Sequence, residues 1–196
     1  NIYKYIIICV MITLPSAHTK HTIVFIHGFL GWGEDEMLGY RYWGGEHDIL
    51  EHLRGLGYSV HSVSVGPISS NYDRAIEAYY QIKGGSLDYG LKHSEKYDLI
   101  KDPGIRYDGF YPEWGPDNPI HIIAHSQGGQ TARVLEYLLN SADPVESSAL
   151  LNSTKGGWIK SITTISTPHE GTQLASMLVH SLPFVQSISG LTYLIS

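Results

Sequence analysis

The chain has 196 residues, a length typical of one globular domain, and a formal net charge of −6. Hydrophobic residues make up 42% and charged residues 16% of the sequence, which excludes an intrinsically disordered protein. The mild acidity, without a cluster of lysines and arginines, argues against a nucleic acid as partner, and the sequence indicates no stable protein partner.

The first 17 residues have the pattern of a secretory signal peptide. Lys4 precedes an apolar run over residues 6–14, and small residues follow that run up to Ala17. The run is too short to cross a membrane as a helix, although a buried strand is an alternative interpretation. We therefore predict a signal peptide over 1–17 and a secreted, extracellular protein whose domain occupies 18–196. The first residue is asparagine, so we expect the natural start upstream and the sequence to be a fragment.

Predicted strands and helices alternate along the rest of the chain. The predicted elements are a strand at 21–28, a helix at 48–56, a strand at 58–65, a helix capped by Asn71 and running to Ile82, a strand at 120–124, a helix after Ser126, and a strand at 158–167. The polar, tyrosine-rich stretch between Ile82 and Asn118 carries no predicted element. Strands separated by helices predict an α/β fold, a parallel sheet with helices on both faces.

The segment from 120 to 139 places a serine between a strand and a helix. The short apolar strand is typical of one covered on both faces, and the helix has an apolar stripe formed by Ala132, Leu135, Leu138 and Leu139. Gly128 and Gly129 lie in its first turn, where missing side chains let the helix approach a neighbouring strand. This is the pattern of the nucleophile elbow G-x-S-x-G, with Ala124 in place of the first glycine. A serine that only caps the helix is the alternative.

A serine nucleophile also needs hydrogen-bond donors where negative charge develops on the carbonyl oxygen of the substrate. The amide of Gln127, directly after the serine, is one candidate. The loop after the strand at 21–28 supplies the second, and we predict the amide of Phe29. An ordinary turn at the end of the strand is the alternative for His27 and Gly28.

Five stretches together resemble the secreted lipases of Geobacillus and Staphylococcus. They are residues 27–45, 65–79, 84–93, 120–135 and 163–172, and the motif Ala-His-Ser-Gln-Gly is itself a mark of that family. The resemblance covers the chain from about residue 21 onward. It implies an α/β-hydrolase fold, hydrolysis of triacylglycerol esters at an oil–water interface, Ser126 as nucleophile, and the amides of Phe29 and Gln127 as oxyanion hole.

The same resemblance implies that the chain holds only part of a catalytic triad. In α/β hydrolases the acid and the histidine follow the serine and lie after later strands. Similar lipases are about twice as long, so we expect a sheet truncated before its last strands, an N-terminal half without these two residues, and an inactive fragment. Glu170 with His180 is the alternative within the chain. A lid is implied from about residue 172, with a core helix as its alternative.

A zinc ion held by two aspartates and two histidines is a further property of the lipases that the chain resembles. Asp73 and His93 match two of these ligands, whereas Leu99 stands at the position of the second histidine and cannot ligate. A helix-terminal acid and a surface histidine are the alternatives for the two matching residues. The chemistry requires no cofactor, and the family's calcium site falls outside this chain.

Three functions are compatible with the sequence. The first is a secreted triacylglycerol lipase, which the apolar helical spacing after residue 172 favours. The others are a carboxylesterase with a smaller acyl pocket and a truncated, non-catalytic hydrolase that only binds lipid.

Overall fold

A computed structural model describes residues 21–173, which form an α/β structure built on a four-stranded sheet. The elements in chain order are β1 (Ile23–Ile26), a 3₁₀ helix (Met37–Gly39), α1 (Ile49–Gly55), β2 (Val60–Val63), α2 (Asn71–Lys83), β3 (Gly85–Ser86), α3 (Leu91–Tyr97), β4 (Arg106–Tyr107), β5 (Ile120–His125), α4 (Gln127–Asn140) and β6 (Ile159–Ile165). The predicted signal over 1–17 lies outside the described residues, as does the predicted lid apart from its first two positions.

The four strands of the main sheet run parallel in the order β2-β1-β5-β6. The chain moves outward from β1 to β2 and then returns to β5 on the other side of β1. The carboxyl ends of β1 and β5 therefore meet, with Ile26 paired opposite Ala124. In open parallel sheets, ligands bind outside the carboxyl ends of the strands at such a reversal of strand order.

Successive residues of a strand point to opposite faces of the sheet, so apolar side chains lie on both faces. Helices cover each of them. On one face α2 and α4 enclose a large core that includes Val24 and Ile26 of β1. On the other face α1 packs through Leu50 against Phe25 and Val60. The predicted fold class is confirmed. β5 is an inner strand with Ile122 fully buried on one face and Ile123 partly buried on the side of α1.

Most element boundaries differ from the prediction by one or two residues, and two of these differences have a clear local cause. The cap of α2 is Ser70 and not Asn71, because the Ser70 hydroxyl accepts a hydrogen bond from the amide of Asp73 at 3.1 Å. Asn71 is then the first helical residue. The last strand ends at Ile165, two residues before Thr167, because Ser166 adopts a positive φ of 53° that ends the extended backbone.

The stretch predicted to lack regular structure contains α3 and a small antiparallel pair, β3 with β4. Gly90 precedes α3 and has no side chain to cap it. The carboxylate of Glu146 accepts from the amides of Leu91 and Lys92 instead, at 2.6 and 3.0 Å. Because Glu146 is 55 residues away from Leu91 in the sequence, no local pattern predicts this helix start. None of the helices in the described part of the chain is long and apolar enough to cross a membrane.

Candidate active site

Ser126 occupies the turn between β5 and α4 with a backbone φ of 53° and ψ of −125°. Residues other than glycine seldom adopt a positive φ, and such strain often marks a functional site. The amide of Ser126 is held by the carbonyl oxygen of Ile165 at 2.9 Å. Its side chain makes no capping hydrogen bond to α4, so the interpretation as a helix cap is wrong. The predicted order of strand, serine and helix is confirmed.

Two glycines bring this turn against the loop that follows β1. A Cβ atom on Gly128 would lie 2.3 Å from the carbonyl oxygen of Ile26, and one on Gly28 would lie 2.8 Å from the Cβ atom of Ser126. Both distances are too short for real contacts, so a side chain at either position would push the segments apart. Because Gly28 and Gly128 have no side chains, Ser126 and the start of α4 can lie close to the end of β1. The predicted close approach of the helix to a strand at Gly128 is confirmed.

The amides of Phe29 and Gln127 lie on these two segments. Gln127 begins α4, and the first amides of a helix have no acceptor within the helix. Across residues 21–173, neither amide donates a hydrogen bond, whereas the neighbouring amide of Leu30 donates to Pro67 at 2.8 Å. An oxyanion hole requires hydrogen-bond donors that the fold does not use, and the two segments next to Ser126 each supply one such amide.

Arg74 supports the loop after β1 from within the core. Its guanidinium is fully buried and donates to the carbonyl oxygens of His27 and Gly66 and to the hydroxyl of Thr131. Burial lowers the pKa of Arg74 to about 10, so the side chain keeps its charge at neutral pH. It links α2 to β1, to α4 and to the loop after β2. No local sequence pattern indicates this role of Arg74, because its three acceptors are scattered along the chain.

His27, whose carbonyl oxygen accepts from Arg74, is also fully buried. Its Nε2 accepts from the amide of Val65 at 3.3 Å, which leaves the proton on Nδ1, 2.9 Å from the carbonyl oxygen of Gly28. Burial and the charge of Arg74 lower the pKa of His27 to about 4, so the ring is neutral at physiological pH. Both ring nitrogens are engaged by backbone groups, one in this loop and one after β2, and His27 is therefore not placed to act as a base.

The two predicted zinc ligands meet as a hydrogen-bonded pair. His93 Nε2 lies 2.8 Å from Asp73 Oδ1, and the His93 ring stacks on Tyr72 with 4.0 Å between ring centroids. Leu99 is partly exposed and offers no donor atom. Among residues 21–173, no group of three or more histidines, cysteines, aspartates and glutamates could hold a metal ion. Zinc binding therefore stays a prediction, with Asp73 and His93 as two candidate ligands of a tetrahedral site.

A triad partner for Ser126 is not found at the predicted positions within the described residues. Glu170 is exposed in the turn after β6, and His180 lies outside the described range. The hydrogen bonds that the described histidines form go to groups other than the Ser126 side chain.

Comparison with known proteins gives consistent matches. A family model described as "Lipase-like, C-terminal domain" matches residues 19–189. The curated lipase of Staphylococcus hyicus is 41% identical over 181 residues, covering 86% of this chain and 28% of that protein. Lipase 2 of Staphylococcus aureus strain MRSA252 is 42% identical over 169 residues, covering 80% of this chain and 24% of that protein.

Solved structures show the same similarity. Lipase 1 from Pelosinus fermentans matches with a TM-score of 0.75 and 42% identity, covering 86% of this chain and 49% of that one. The Staphylococcus hyicus lipase matches with a TM-score of 0.76 and 38% identity, covering 91% and 51%. EstA from Clostridium botulinum matches with a TM-score of 0.75 and 39% identity, covering 89% and 44%. The chain spans about a quarter of the curated relatives and about half of the solved ones.

Proposed function

The chain belongs to the family of lipase-like C-terminal domains, and from this premise we propose that it carries the nucleophile of a triacylglycerol lipase. In this proposal Ser126 attacks the carbonyl carbon of an ester, and the amides of Phe29 and Gln127 form the oxyanion hole. The substrate is a lipid presented at an oil–water interface.

The observation that carries the proposal is the position of Ser126 between two unpaired amides. The serine lies where β1 and β5 end side by side, and a positive φ holds it in the turn. Phe29 follows Gly28, which approaches Ser126, and Gln127 follows Ser126 directly. Neither amide is used by the fold across residues 21–173, so both are available to an oxyanion.

The proposed reaction has two steps. The Ser126 oxygen bonds to the carbonyl carbon while its proton passes to a general base, and the carbonyl oxygen becomes an oxyanion that accepts from the two amides. Each donor of this kind typically lowers the activation free energy by about 3 kcal/mol. The tetrahedral intermediate then collapses and expels the alcohol, which takes the proton from the base. Water repeats the sequence on the acyl-enzyme and releases the fatty acid.

We place the general base and its acid outside the described residues, since residues 21–173 put no histidine on Ser126. The chain spans about half of the solved relatives, and we propose that the base and the acid lie in the remainder of the protein, so that residues 1–196 alone are inactive. Glu170 with His180 remains the alternative within the chain.

Substrate preference distinguishes the proposed lipase from the alternatives. We expect the complete protein to hydrolyse an emulsion of long-chain triacylglycerol, with a rate that rises when the substrate exceeds its solubility and forms an interface. Titration of released fatty acid measures this rate, with the Ser126→Ala protein as blank. Hydrolysis of dissolved short-chain nitrophenyl esters without hydrolysis of the emulsion would identify a carboxylesterase. Binding of lipid without any hydrolysis would identify a non-catalytic protein.

A further inference from the structure

The hydroxyl of Tyr42 joins the loop after β1 to the serine turn. The amide of Gly28 donates to Tyr42 Oη at 2.9 Å, and Oη lies 2.5 Å from Nδ1 of His125. Because the hydroxyl accepts from an N–H group, its own proton is available for donation to the histidine. Gly28 directly precedes Phe29, and His125 directly precedes Ser126. A single side chain from farther along the loop after β1 thus contacts both the start of that loop and the serine turn.

Aromatic neighbours fix the position of the Tyr42 ring. Trp32 and Trp43 contact it edge-on, with centroid distances of 5.3 and 5.2 Å, and His27 lies at 5.7 Å. Burial raises the pKa of Tyr42, so the hydroxyl keeps its proton at physiological pH. The position of Oη is therefore set mainly by rings of the loop after β1, to which His125 of the serine turn adds a ring contact at 5.8 Å.

The backbone alone does not fix the distance between the two segments beyond the end of the sheet. The ladder between β1 and β5 has its last pair at Ile26 and Ala124. Tyr42 bridges the residues that follow, where no ladder pair continues between these strands in the described part of the chain. A Cβ atom on Gly28 would lie 3.1 Å from Tyr42 Oη, so glycine at that position also favours the approach of the hydroxyl.

We propose that Tyr42 is a positioning residue for the oxyanion hole, whose hydroxyl sets the separation between the amides of Phe29 and Gln127. This inference rests on the proposed function of Ser126. Donors that stabilise a transition state act only when they are held close to the productive geometry, and a misplacement of about 1 Å costs on the order of 100-fold in rate. Tyr42 contributes by holding the donors and need not touch the substrate.

The test uses the complete protein with Tyr42→Phe and the matched control Tyr40→Phe. Tyr40 lies two residues away, is 58% exposed, and its hydroxyl makes no hydrogen bond within residues 21–173. On a dissolved nitrophenyl ester we expect Tyr42→Phe to lower kcat by about 10- to 100-fold with little change in KM. The affinity for a boronic acid, which forms a tetrahedral adduct with the serine, should fall in parallel. Tyr40→Phe should behave as the wild type.

Three outcomes would overturn the inference in distinguishable ways. If wild-type hydrolysis depends on Ser126 and Tyr42→Phe keeps wild-type kcat, the positioning role is wrong while the proposed function stands. If Tyr42→Phe lowers only the melting temperature, with kcat unchanged well below it, the hydroxyl has a structural role alone. If the wild type hydrolyses no ester, or if Ser126→Ala is as active as the wild type, both the function and the inference fail.

A second variant keeps the test informative if Tyr42→Phe folds poorly. His125→Phe removes the acceptor but retains the hydrogen bond between Gly28 and Tyr42. We expect His125→Phe on its own to lower kcat, and wild-type kcat in this variant would overturn the inference. Where Tyr42→Phe folds, its loss should be larger, and a double variant should be no worse than Tyr42→Phe alone. Fully additive losses would show that the two residues do not act through their shared hydrogen bond and would overturn the inference.

Discussion

We expect Ser126→Ala in the complete protein to abolish ester hydrolysis and to leave the fold intact. Removal of a serine nucleophile typically lowers kcat by a factor on the order of 10⁶. The substitution keeps the Cβ atom and the positive φ, and the lost hydroxyl makes no capping hydrogen bond to α4, so little stability should be lost. Release of nitrophenol from a short-chain ester measures the rate, and circular dichroism monitors the fold.

A matched control is available at the end of the adjacent strand. Ser166 also has a φ of 53° and follows β6, with an exposed side chain. Ser166→Ala should therefore retain wild-type turnover. Wild-type turnover by Ser126→Ala would instead show that another residue performs the nucleophilic attack.

Gly128→Ala is expected to destabilise the protein, although alanine normally stabilises a helix relative to glycine. The added Cβ atom would lie 2.3 Å from the carbonyl oxygen of Ile26 and 2.7 Å from that of His27. These are backbone atoms of a buried strand and its end, so relief requires α4 to move away from β1. Overpacking of this kind costs about 1–3 kcal/mol, and we expect the upper end of that range. Hydrolysis should fall as well, because Ser126 moves with α4.

Gly55→Ala serves as its control, since Gly55 is helical and a Cβ atom there would have no neighbour within 4 Å. We expect this change to raise the free energy of unfolding by about 0.5–1 kcal/mol. Urea denaturation of the complete protein measures both variants. An unfolding free energy of Gly128→Ala equal to that of the wild type would show that α4 does not press on β1 as described.

The sheet and the serine turn could be predicted because their signals are local. Apolar strands, the amphipathic stripe of α4 and the glycines after Ser126 lie within a few residues of the features that they determine. The start of α3 could not be predicted in this way, since its amides are satisfied by Glu146. The predicted cap of α2, Asn71, lies one residue after the observed cap, Ser70. Both residue types are good caps, so the sequence alone does not show which of the two forms the capping hydrogen bond.

The supporting residues of the site were not predictable for a related reason. Arg74 and Tyr42 act through acceptors and donors that the fold brings together from distant segments. Asp73 and His93 are indicated only by the family resemblance, and the fold brings them into contact although they lie 20 residues apart in the sequence. Local patterns thus predict which residue is the candidate nucleophile, whereas the residues that hold it depend on tertiary structure.

Covalent capture tests whether Ser126 is the nucleophile. A nitrophenyl alkylphosphonate transfers its phosphonyl group to an activated serine oxygen and releases nitrophenol, so the complete protein should be titrated with it. The expected result is stoichiometric nitrophenol release, loss of ester hydrolysis in parallel, and the added mass on the peptide that contains Ser126. Complete loss of hydrolysis with the added mass on another residue, and Ser126 unmodified, would contradict the assignment.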